Sequence, residues 1–109
     1  SNPALWDVYA RYYEGIGDLH KAVEYRQREV RALQSPGWET NADQFKKVVA
    51  GASKLVSVVT RLAETDKSIL YPTRLTLRSL SIKSDEIFHN TPEHEQLRQM
   101  LATVEAMNN

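Results

Sequence analysis

The sequence predicts an all-α fold of antiparallel helical hairpins. Apolar residues recur at helical spacing along almost the whole chain. The four Gly and four Pro, Gly51 apart, fall at breaks between those stretches. No segment holds the strict alternation of a half-buried strand.

The first helix is expected from Pro3, a suitable first helical residue, to about Glu14, where Gly15 and Gly17 stop it. Trp6, Tyr9, Ala10 and Tyr13 form its inner side, and Leu5, Val8 and Tyr12 line another face. Asp18 caps a second helix to about Leu33, with Leu19, Ala22, Val23, Arg26, Val30 and Leu33 inward. The short link between the two makes them antiparallel neighbours.

Gln34-Ser35-Pro36-Gly37 is a break, after which Thr40 or Asn41 can cap the third helix. Its stripe, from Phe45 through Val48, Val49, Ala52, Leu55, Val56 and Val59 to Leu62 and Ala63, is too long for a strand despite its valines. Gly51 inside it costs about 1 kcal/mol relative to Ala, which points to a closely approaching neighbour. The fourth helix begins between Ser68 and Pro72 and ends near Phe88. Its apolar set is Leu70, Leu77, Leu80, Ile87 and Phe88, widened by Leu75 and Ile82. Thr91 and Pro92 then open a fifth helix, with Glu93 and Glu95 in its first turn and Leu97, Met100, Leu101 and Val104 inward.

At 109 residues and 12.5 kDa the chain holds one domain, expected over 3–109. Fourteen Lys+Arg balance fourteen Asp+Glu, which argues against a nucleic-acid module. Absent cysteine excludes disulfides, thiolate metal sites and a Cys nucleophile. No apolar run reaches the length of a membrane span. Ser1-Asn2 reads as an expression scar, and the chain as a cytosolic piece of a longer protein.

Trp6, Tyr9, Ala10, Tyr13, Gly17, Ala22 and Val30 resemble a tetratricopeptide repeat in order and spacing, with Ala22 where the two helices touch most closely. Arg26 stands where an aromatic is usual, Glu29 where Ala is usual, and Pro36 arrives late. The expected organisation is therefore one degenerate hairpin over 3–34 with three further capping helices over 41–109, ending a right-handed superhelix. One repeat cannot cover its own apolar faces, so the later helices must pack onto it.

Trp38-Glu39, Phe45-Lys46, Val48-Val49, Arg74-Leu75, Leu77-Arg78, Leu80 and Phe88, together with Leu5-Trp6 and Tyr9, resemble the C-terminal region of the tetratricopeptide repeat protein twenty-seven family. That resemblance implies an intracellular, non-enzymatic eukaryotic adaptor, cytoplasmic and also nuclear. It implies a link to Hsp90-associated assembly of large complexes, the spliceosomal U5 particle among them. Partners are then the preceding repeats of the full chain and a client or chaperone complex. Many Hsp90-binding repeats grip an acidic C-terminus with a Lys and an Asn one turn apart on a first helix. Asp7 and Arg11 stand there instead, and Asp7 repels a carboxylate.

No catalytic, cofactor or metal site is expected. His89 and His94 straddle Pro92 and share no helical face, and Glu93-His94-Glu95 reads as an acidic first turn. Phosphate-loop, nucleophile-elbow and HExxH patterns are absent. Candidate partner contacts are Leu5, Val8 and Tyr12 on the second face of the first helix, which the fragment is expected to cover by self-association. Trp38 is either a lid on the core or an exposed anchor, the lid being favoured by its size. Arg74 and Arg78 can clamp an anion, the basis of a rival reading as a small helical domain binding RNA or an anionic ligand. The simpler reading of the pair is a solvated face or an ion pair with Asp85, Glu86 or another helix. Arg26, Arg28 and Arg31, interleaved with Glu24 and Glu29, read as a mixed solvated face.

Overall fold

The computed structural model describes residues 2–107. Ser1, read as part of a tag, and 108–109, included in the expected domain, lie outside the described residues. The fold is all-α, built from α1 (Pro3–Ile16), α2 (Leu19–Leu33), α3 (Ala42–Leu62), α4 (Leu70–Phe88) and α5 (Pro92–Met107). Short 3-10 turns at Trp38–Thr40 and Lys67–Ile69 lead into α3 and α4.

Local chemistry sets each boundary. The Asn2 side chain accepts from the Ala4 N–H at 3.0 Å, and Pro3 follows as the first helical residue. Gly15 does not stop α1; the helix runs two residues past the expected end. Gly17 stops it, at a φ of 81° that only glycine adopts without strain. Asp18 then caps α2 by accepting from the Lys21 N–H at 3.1 Å. Of the two candidate caps for α3, Asn41 serves, accepting from the Gln44 N–H at 2.9 Å. The Gln44 amide reaches across to the Leu33 carbonyl at 2.7 Å and so satisfies the end of α2. Thr91 opens α5 by accepting from the His94 N–H at 3.2 Å.

The α1–α2 hairpin packs on α3, which also carries the α4–α5 hairpin. A Cβ on Gly51 would lie 2.6 Å from Leu33 Cδ1, so α2 lies close on α3 here and a larger side chain must push the end of Leu33 aside. Phe45 stacks on Phe88, centroids 4.6 Å apart, and Trp38 stacks on Phe45. In α4 the buried stripe is Leu70, Thr73, Leu77, Leu80, Ser84 and Phe88; Ile87, expected inward, is 54% exposed, and Leu75 and Ile82, expected to widen the stripe, are exposed too. Thr73 and Ser84 fit that stripe because their hydroxyls donate to the Ile69 and Leu80 carbonyls at 2.8 and 2.7 Å. His94 is buried as well, its Nε2 3.1 Å from the Ser81 carbonyl, so α5's first turn docks on α4.

Candidate interaction surfaces

The hairpin is built around small and aromatic residues. Ala10 and Ala22 are fully buried, and Gly17 supplies the turn between their helices. Above them Trp6, Tyr9 and Tyr13 gather on Tyr25, with centroids 5.9, 5.2 and 5.5 Å away. Arg28 lies over both the Trp6 and Tyr25 rings. Tyr25, the hub, was not singled out in the sequence. Its signal was its place one turn after Ala22.

Beneath this layer sits a charge cluster. Arg26 is 3% exposed, which agrees with its inward place on α2 and corrects its reading as part of a solvated face; Glu29 is buried beside it. The guanidinium donates to Glu14 through Nε at 2.8 Å and Nη2 at 3.1 Å, and through Nη1 to Asp7 at 2.5 Å and Glu29 at 3.0 Å. Lys54 of α3 completes the group, 3.4 Å from Asp7 and 3.7 Å from Glu29. Burial opposes the Asp7 charge, yet the Arg26 hydrogen bond and the nearby Lys54, Arg26 and Arg11 charges hold its carboxyl below the usual range. Burial likewise opposes the Arg26 charge, and the three carboxylates outweigh it. Asp7 thus serves inside the fold, tying α1 to α2 and α3.

The outer side of α1 is different. Leu5, Val8, Tyr9, Tyr12 and Ile16 are 43–61% exposed and recur every three or four residues, a continuous stripe along the helix. Tyr9 belongs to both faces, stacking on Tyr25 while its edge remains open. Val30, the last of the repeat-packing set, is buried at the α2–α3 contact beside Gly51.

The remaining candidates behave otherwise. Trp38 is 4% exposed and belongs to the core, so it is no partner contact: its ring covers Phe45. Arg78 is held by Glu105 of α5 at 2.8 Å, and Arg74 lies over the Tyr71 ring. The two guanidiniums have different neighbours, and the Arg74 Nε is buried without a hydrogen-bond partner. Among the described residues no group of three or more His, Cys, Asp or Glu is placed to hold a metal ion. No helix among them is long and apolar enough to cross a membrane.

No protein-family model matches the chain. No solved structure matches it. It is 27% identical over 101 residues to tetratricopeptide repeat protein 27 homolog of Dictyostelium discoideum. The match covers 93% of this chain and 12% of that protein. It therefore takes in the hairpin and the later helices together, and over them the chain is similar to that tetratricopeptide repeat protein.

Proposed function

We propose that the chain is the protein-interaction end of an assembly scaffold, in which α1 receives the neighbouring hairpin of a longer helical array. The observation that carries this is the second apolar face of α1, Leu5, Val8, Tyr9, Tyr12 and Ile16. A helix apolar on two sides is normally packed on both, and an array supplies a neighbour for each. The relative's name, a tetratricopeptide repeat protein, supports the repeat reading and a non-catalytic role. The family resemblance supports the finer reading: the C-terminal end of an adaptor in Hsp90-linked assembly of large complexes, spliceosomal ones among them, in cytoplasm and nucleus. With Arg78 held by Glu105, the two guanidiniums do not face a ligand as a pair, which weakens the reading of RNA or an anion there.

Sedimentation of the 109-residue chain tests the α1 interface. Without the neighbouring hairpin, the stripe should pair with a second copy as concentration rises. Val8→Lys should restore the monomer with an unchanged melt, because Val8 is exposed in the single chain. A wild-type chain monomeric at all concentrations, or association indifferent to Val8→Lys, would refute the interface.

A further inference from the structure

We infer that the groove between α2 and α4 binds an acidic, apolar-anchored peptide segment of a protein partner, with Arg31 as its anion contact. The surface is separate from the α1 stripe and stands whether or not α1 receives a neighbour. The groove encloses about 390 Å³, lined by Gln27, Val30 and Arg31 of α2 and by Pro72, Leu75 and Leu80 of α4, among others. Val30 and Leu80 are buried in its floor, while Leu75 is half exposed on its wall. That volume suits two or three side chains of a ligand.

Charge selects the occupant. No acidic residue lines the groove. Arg31 is the one charged residue of its lining. Arg31 is exposed, and its side chain makes no ion pair or hydrogen bond among the described residues. It also lines a second hollow of about 340 Å³, with Trp6, Arg28 and Ala32. The neighbouring Arg28 is only loosely answered by Glu24, at 3.3 Å and half exposed. In a chain of zero net charge the linings of the two hollows hold Arg28 and Arg31 and no acid. Arg31 can take a carboxylate side chain, Leu75 an apolar one in the same groove, and the uncommitted Gln27 amide can bond the peptide backbone. Nucleic acid fits poorly, since two guanidiniums neutralise too few phosphates.

The test is fluorescence anisotropy with a labelled nonapeptide of alternating Glu and Leu, titrated with the 109-residue chain. Saturable one-to-one binding that weakens with salt is expected. Arg31→Glu and Leu75→Glu should each weaken it about tenfold without shifting the melt, because both side chains are exposed. Lys46→Glu, on the exposed side of α3, should leave it unchanged. Absence of saturable binding, affinity indifferent to Arg31→Glu, or equal binding of a Lys–Leu nonapeptide would overturn the proposal. Tighter binding of oligouridine, lost in the same variants, would overturn it in favour of RNA.

Discussion

Replacing Arg26 by Phe restores the residue type usual at that repeat position and should nevertheless destabilise the protein. The side chain donates four hydrogen bonds to three carboxylates, two of them to Glu14. Without it Glu29, with a side chain 6% exposed, keeps only Lys54 at 3.7 Å. Stranding one partner of a buried ion pair costs about 3–5 kcal/mol. Asp7 and Glu14, 22% and 23% exposed, can recover water and place the cost at about 3 kcal/mol. For a domain near this size, each kcal/mol moves Tm by about 4–8 °C, so the drop should be about 15 °C. Adding Glu29→Ala removes the stranded carboxylate and should recover most of that loss, since an apolar replacement of a whole buried ion pair is often neutral or stabilising. Circular-dichroism melts of the parent, Arg26→Phe and the double variant measure both effects. A single variant melting with the parent, or a double variant melting below the single one, would refute the reasoning.

Two further outcomes follow from the packing and the charges. Gly51→Val should lower stability by about 1–3 kcal/mol, because its branched side chain drives into Leu33 and Val30. Gly51→Ala should stay near the parent, since the Leu33 terminal methyl can turn away and Ala gains about 1 kcal/mol of helix propensity; equal melts for Val and Ala would place α2 farther from α3. Acid should unfold the chain through Asp7 and Asp66. Hydrogen bonds from the Ser68 hydroxyl, His20 and the Ser68 N–H hold Asp66 at about 2. Both carboxyls titrate lower folded than unfolded, so their stabilisation is present above about pH 4 and is lost as pH falls through the folded values. Asp66→Asn should make the acid limb of a Tm–pH curve shallower, and an identical limb would remove Asp66 from this role.

Most of the fold was legible because the chain punctuates its helices with residues whose chemistry is local. Asn41, Thr91, Gly17 and Asp18 act within three or four residues of themselves, and spacing in the sequence displays such effects directly. The α3 stripe was legible for another reason: all its residues are apolar, and no polar member interrupts the period. The α4 stripe was misread at Leu75, Ile82 and Ile87 because Thr73 and Ser84 occupy two of its buried positions. A hydroxyl that bonds back to its own helix counts as apolar in packing and as polar in a hydropathy pattern. The α1 stripe was visible in part, through Leu5, Val8 and Tyr12. Tyr9 was assigned to one face because periodicity gives each residue one direction, whereas a long ring can stack inward and still present an edge outward.

The charge cluster lay beyond pattern reading for a physical reason. An ion pair is a relation between residues distant in sequence, here Asp7, Glu14, Arg26, Glu29 and Lys54 on three helices. Arg26 and Glu29 departed from the repeat as two separate defects in the sequence, but in the fold they are one substitution. Where the repeat pattern puts an aromatic and a small residue one turn apart, this chain has a cation and an anion that pair at 3.0 Å. Such an exchange holds only if the surplus donors of the guanidinium are also met, and Asp7 and Glu14 on α1 meet them. The residue that rules out a carboxylate clamp at Asp7 is thus the one the altered core requires. Apolar packing tolerates small rotations of one helix against another, whereas a bidentate contact to Glu14 with a further hydrogen bond to Asp7 fixes the register of α1 on α2. A hairpin held in that way keeps its outer stripe at a set angle, and a surface that receives another helical hairpin depends on that angle.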